Sequence, residues 1–228
     1  MNAQGTTIEP LFAWGGLVIT NTVVTTWVIM AALWLVAWLV SRRLRLEPGG
    51  MQTAIEGIVV AIEEAVDGVA PRQARQIMPF IGTLWVFLVV ANLIGLIPGL
   101  QSPTRDLSAT AALAVLVFLS THWFGLKIVG PKRYFHHYLS PSPILLPFHV
   151  ISEISRTVAL AVRLFGNMMS LEMAALLILL VAGFLAPVPI LMLHIVEALV
   201  QAYIFGMLAL IYVAGGIQSQ QLRHADKE

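Results

Sequence analysis

Residues 158–173 read Val158-Ala-Leu-Ala-Val-Arg-Leu-Phe-Gly-Asn-Met-Met-Ser-Leu-Glu-Met173, an apolar run that carries Arg163 with no acid beside it until Glu172. A guanidinium stays charged in any protein setting. Placing one at mid-membrane depth costs roughly 2.5 to 3.5 kcal/mol even on lenient insertion scales. The run extends from about residue 148 to residue 182, and a helix of that length reaches about 50 Å, against a hydrocarbon core of about 30 Å. The stretch therefore specifies a long membrane helix, strongly tilted or partly interfacial. Its arginine should face a watery path or a charged partner.

Working outward, the 228 residues are 58% hydrophobic and 11% charged, against roughly 25% charged for soluble domains. The chain is read as an integral membrane protein. No basic patch interleaved with aromatics suggests a nucleic-acid partner. The absence of cysteine excludes disulfides, thiolate metal sites and a cysteine nucleophile. Residues 1–16 hold no Lys or Arg, so they lack the basic region of a cleavable signal, and the first apolar segment is expected to stay in the mature protein.

Apolar runs of spanning length predict an all-α integral membrane fold: five transmembrane helices plus one amphipathic helix, the last two spans forming a long tilted hairpin. It is a single domain over 1–228. An external N-terminus (1–16) precedes the first span (17–42) and the amphipathic helix (51–70). The second and third spans (77–128), a connector (129–147), the hairpin (148–215) and a tail (216–228) complete the order. Pro71 and Pro79 punctuate the return into the second span.

Loop charges orient the spans. Arg42, Arg43, Arg45, Arg72, Arg75, Lys127, Lys132, Arg133, Arg223 and Lys227 fall on one side, and Arg105 on the other. Ten against one places the N-terminus outside and the C-terminus in the cytoplasm. In 51–70, Ile55, Val59, Ile62 and Val66 recur at helical spacing while Glu56, Glu63, Glu64 and Asp67 take other faces. This helix is too polar to span and lies along the cytoplasmic surface. Its acidic face argues against adhesion to anionic lipid and leaves docking to another subunit open.

At about 100° per residue, Arg156, Arg163, Asn167 and Ser170 share one stripe of the fourth span. Glu172 lies half a turn away and about 13 Å along the axis from Arg163, so the two do not form a salt bridge. On the last span His194, Glu197 and Gln201 form a second stripe. With a hairpin turn near residue 185, Glu172 comes level with that stripe, giving a cluster of proton-exchanging groups in the outer half of the membrane. Lipid-facing carboxylates there are too costly, so a buried or hydrated path is the economical reading. Asn167, Ser170 and Gln201 alone could equally be interhelical glue.

Other polar residues receive plainer readings. Glu153 and Arg156 are expected to pair at i, i+3 near the cytoplasmic end. Asn92 and Asp106 are placed along the outer path. His122 beside Trp123 reads as an interface anchor, and His136 and His137 as a solvated loop rather than a metal site.

The run Ile151-Ser-Glu-Ile-Ser-Arg-Thr-Val-Ala-Leu-Ala-Val-Arg-Leu-Phe-Gly-Asn-Met168, with Glu172 beyond it and His194 seven residues before Gln201, resembles subunit a of the F-type rotary ATP synthase. Asn92-Leu-Ile-Gly-Leu-Ile-Pro-Gly99, the Pro-Thr-x-Asp turn at 103–106 and Gln201-Ala-Tyr-Ile-Phe205 support the match from the second span onward. The resemblance implies a non-catalytic stator subunit in the bacterial cytoplasmic (inner) membrane, with two offset half-channels set against a rotating ring of c subunits. Its further partners are a peripheral-stalk b subunit and the rest of the complex, and it needs no cofactor or metal. Arg163 matches the family's essential arginine, Glu172, His194 and Gln201 its outer half-channel positions, and Asn167 the neighbouring polar position. Arg156 occupies a place often basic in the family. Thr157 stands where proline is common, and Ser170-Leu171 where Ala-Gly is usual. Such departures would mark a divergent branch such as the N-type ATPases.

Two other classes compete. A stand-alone transporter or ion channel would favour inverted repeats and paired broken helices, and five spans without a repeat do not supply them. An intramembrane enzyme needs a nucleophile with its base, or an open metal site, and no such pairing is evident in the spans.

Overall fold

The computed structural model describes residues 10–14, 17–42, 44, 49–97, 100, 102–130, 146–182 and 187–225. Connector residues 131–145, with His136 and His137, and residues 183–186 at the hairpin tip lie outside these. Among the described residues, six α-helices succeed one another: α1 (Asn21–Arg42), α2 (Gly50–Val69), α3 (Ala74–Leu93), α4 (Leu107–Val129), α5 (Leu146–Ala182) and α6 (Pro187–Ala225). All but α2 contain a stretch long and apolar enough to cross a membrane. The fold is all-α and multi-pass, as the apolar runs predict.

Three boundaries differ from expectation. Leu17–Thr20 pairs antiparallel with Pro10–Trp14, Trp14 opposite Leu17 and Phe12 opposite Ile19. The ladder takes backbone that hydropathy assigns to the first span, which starts instead at Asn21. Helix α3 begins at Ala74, three residues before the predicted second span, and holds Pro79 as its sixth residue, where the missing N–H forgoes the bond to the Arg75 carbonyl. At the other end of the chain, α6 continues well past residue 215, to Ala225.

Local chemistry explains the ends of α4. Asp106 caps it by accepting a hydrogen bond from the Ser108 amide at 2.9 Å. Gly130, at φ +91°, ends it in a conformation that glycine adopts without a Cβ penalty. Helices α5 and α6 hold 37 and 39 residues, about 55 and 58 Å at 1.5 Å per residue. Both greatly exceed the hydrocarbon thickness, so a membrane holds them only by tilting or by leaving ends outside.

Helix α6 is the centre of the packing, against α3, α4 and α5. Ala198, Ala202, Phe205, Ala209, Val213 and Ile217 are fully buried, and their spacing of three and four residues defines one face. Ile77, Ile81, Leu84 and Leu88 of α3 and Leu160 and Leu164 of α5 meet the same core. Small residues let the backbones approach closely. A Cβ added at Gly206 would collide with the Trp85 indole, which stacks on Tyr203 with centroids 6.1 Å apart. Trp85 Nε1 also donates to the Tyr203 carbonyl at 3.3 Å.

Helix α1 is peripheral and buries only Thr25 and Ile29. Helix α2 is amphipathic as predicted, with Glu56, Glu63, Glu64 and Asp67 exposed. Its apolar contact is confined to the second half: Val66 is fully buried and Ile62, Ala65 and Val69 pack on the core, while Val59 is exposed.

Candidate functional site

Helix α5 carries three polar levels. Counting along it, Glu153, Arg163 and Glu172 are separated by ten and nine residues, about 15 and 13 Å at the helical rise. Arg163 therefore sits close to midway between two carboxylates.

At the middle level Arg163 is exposed on the outer face of the bundle. Among the described residues no carboxylate lies within ion-pair distance of it. Ala159, Gly166 and Ser170, at offsets of four, three and seven, are exposed beside it, and a Cβ on Gly166 would meet nothing within 4 Å. The arginine thus stands in a strip of small side chains that another helix could approach closely. One turn along, Asn167 Nδ2 donates to Gln201 Oε1 at 2.5 Å, tying α5 to α6. Gln201 is buried, and its own Nε2 has no hydrogen-bond partner.

The Asn167–Gln201 contact fixes the hairpin register: position sums near 368 face each other, so Glu172 lies opposite about residue 196, between His194 and Glu197. In that register Glu172 is level with His194 and Glu197 rather than with Gln201. Gln201 belongs with Asn167, about five residues nearer Arg163's level. Among the described residues Glu172 pairs with Arg105, reached from the turn Pro103–Arg105 that packs on α5. No hydrogen bond or ion pair joins Glu172 to His194 or Glu197 there. His194 Nε2 is buried without a partner, and Glu197 is half-buried.

In the sequence Arg105 stands out only as the lone basic residue on its side. Nothing local in the sequence names its partner, because Glu172 is 67 residues away and the nearer acid, Asp106, caps α4.

Asn92 and Asp106 both make structural hydrogen bonds. Asn92 is fully buried; its Nδ2 donates to the Ala198 carbonyl at 3.1 Å and its Oδ1 accepts from Thr104 Oγ1 at 2.8 Å. Ser102 continues the network to Thr104 and to the Ala91 carbonyl, both at 2.7 Å. The network ties residues 102–104 to α3, and Asn92 ties α3 to α6. Asp106 caps α4, with its second carboxylate oxygen buried and unpartnered.

At the third level the expected Glu153–Arg156 pair is replaced by two other contacts. Glu153 Oε2 lies 3.3 Å from His122 Nε2 on α4, and the Arg156 guanidinium lies over the Tyr212 ring at 5.7 Å. Helix α4 packs directly against α5, so the imidazole reaches Glu153 while Arg156 points toward α6.

A sequence model of the family described as ATP synthase A chain matches residues 23–214. A protein named ATP synthase subunit a 2 from Pelobacter propionicus is 65% identical over 222 residues, 97% of each chain. ATP synthase subunit a 1 from Hahella chejuensis is 67% identical over 204 residues, 90% of this chain and 87% of its own. ATP synthase subunit a from Legionella pneumophila is 54% identical over 224 residues, 98% of this chain and 97% of its own.

Proposed function

We propose that this chain, which belongs to the ATP synthase A chain family, is the ion-conducting stator of the membrane sector and turns ion flow into rotation of a c-subunit ring. Membership makes it a multi-pass membrane subunit of an ATP synthase. The finer reading is carried by one observation: Arg163 is a permanent cation, exposed at the middle of α5 and without an acidic partner among the described residues.

Its counter-charge then comes from outside the chain. A carboxylate on each ring subunit, brought against the small-residue strip beside Arg163, would be favoured in its ionised form by the guanidinium. The same charge opposes direct passage of a cation from one side to the other, which would dissipate the gradient without rotation. With the N-terminus outside, Glu172, His194 and Glu197 line the outer half-channel, and Asn167 with Gln201 hold α5 and α6 in register beside Arg163. In synthesis an ion enters past Glu172, neutralises a ring carboxylate, and leaves on the cytoplasmic side after nearly a full turn. Each charge moved yields about 2.3 kcal/mol per 100 mV. ATP chemistry resides in partner subunits, and a b subunit completes the stator.

The experiment is Arg163→Lys in the assembled complex reconstituted into vesicles. A lysine ammonium can lose its proton when desolvated, whereas a guanidinium cannot, so gradient-driven ATP synthesis is expected to be abolished. Retention of coupled synthesis at the wild-type rate overturns the reading.

A further inference from the structure

Resting on that reading, we propose that His122 and Glu153 form a proton-exchanging pair at the cytoplasmic mouth of the ion path, and that the ion conducted there is the proton.

The protonation of the pair is set by its hydrogen bonds. His122 Nδ1 lies 2.9 Å from the Phe118 carbonyl oxygen. A carbonyl has no proton to give, so Nδ1 is the donor. The other ring nitrogen, Nε2, faces Glu153 Oε2 at 3.3 Å. A hydrogen bond between those two atoms needs one proton, carried either by the imidazole or by the carboxyl. The pair therefore holds one labile proton between Nε2 and Oε2 while Nδ1 keeps its own.

The transfer balances without a further reactant. A proton released by a ring carboxylate and carried by water is taken up between Nε2 and Oε2. It leaves from the same two atoms to cytoplasmic water, and the pair returns to a carboxylate facing a neutral imidazole. The Nδ1–H bond to Phe118 and all heavy-atom bonds are unchanged.

Position supports the assignment. His122 lies seven residues before the end of α4 and Glu153 seven after the start of α5, so both sit about 10 Å from the helix ends. Glu153 is also about 15 Å from Arg163, on the side opposite Glu172. The two side chains are each a little over a quarter exposed, 27% and 28%, so water can reach a pair that remains partly enclosed. Among the described residues, the charged or titratable groups toward this end of the packed elements include Glu63, Glu64 and Asp67 on α2, Arg72 and Arg75 before and on α3, Lys127 on α4, His149 and Arg156 on α5, and Tyr212 on α6. Imidazole is the side chain suited to exchanging a proton near neutral pH, and among the described residues His122 is the imidazole that meets a carboxylate.

The test uses the intact complex in vesicles, with His122→Arg, His122→Gln and Arg163→Lys made in parallel. Arginine at 122 keeps a cation beside Glu153 and so preserves any purely structural pairing, but it cannot release a proton. Passive proton conductance is expected to fall about tenfold or more in both His122 variants, and its dependence on cytoplasmic-side pH to flatten. Wild-type conductance and pH dependence in His122→Arg overturn the proposal. So does wild-type synthesis driven by a sodium gradient at fixed pH. If Arg163→Lys retains coupled synthesis, the stator reading itself fails; if only the His122 variants are silent, the failure is confined to this pair. Should those variants not assemble, infrared spectroscopy of the wild-type complex decides, with the Glu153 carboxyl band identified by Glu153→Gln. Imidazole and carboxyl signals that change together on titration support a shared proton, and independent changes overturn it.

Discussion

At the scale of single residues, the polar groups separate into those that hold the molecule and those free to act. Asn92 holds it: fully buried, it satisfies the Ala198 carbonyl and the Thr104 hydroxyl together. Asn92→Leu would leave both partners without their bond in an enclosed site, at about 1 to 3 kcal/mol. The expected outcome is a lower thermal midpoint for the purified complex, with Arg163-dependent coupling retained in the molecules that assemble. An unchanged midpoint would show that water replaces the side chain. That Glu172 lies out of reach of Arg163 was legible from helical spacing alone, because the angle and rise between them are local quantities. The Arg105–Glu172 and His122–Glu153 contacts were not, since each joins residues far apart in the chain. The i, i+3 rule favoured Arg156 for Glu153, but tertiary packing of α4 on α5 brought a better-placed partner.

At the scale of elements, helix crossings depend on side chains that are small or absent. The α3–α6 crossing has no room for a methyl group at Gly206, since Trp85 occupies that space and is held there by its contacts with Tyr203. Gly206→Ala is expected to destabilise the subunit by about 1 to 3 kcal/mol through overpacking, read as loss of assembled complex or a lowered thermal midpoint. Adding Trp85→Phe, which removes the indole's second ring, should recover part of the loss. If the double variant is no better than Gly206→Ala alone, the clash lies elsewhere. Such a contact is hard to foresee in a sequence, where Gly206 is one more small residue in an apolar run. The amphipathic α2 was legible because its acids and apolar residues alternate at helical period; how far its apolar face meets α3 was not. The N-terminal strand pair had an unread signal, the Gly15-Gly16 between two apolar runs, a hairpin pattern overshadowed by the hydropathy of the adjoining span.

For the whole molecule, hydropathy and length foretold the five spans and the long hairpin, because water and lipid act on runs of residues and those runs can be counted. Sidedness rests on a different quantity, the distribution of basic residues, and it decides which end of α5 is the outer path. If the basic loops face the cytoplasm, α2 lies inside and the N-terminus of α4 outside, so Glu172 is met before Arg163 by an ion moving inward. The chain contains no cysteine, which makes a single introduced thiol an unambiguous reporter. Ala54 on α2 and Ser108 at the start of α4 are both exposed, and neither belongs to the proposed ion path. In intact cells with a permeable outer layer, a membrane-impermeant maleimide is expected to label Ser108→Cys at once. Ala54→Cys should react only after the inner membrane is opened. The reverse pattern would invert the assignment: Glu172 would then face the cytoplasm, His122 and Glu153 would stand at the external mouth, and the order of proton transfers during synthesis would run the other way along α5.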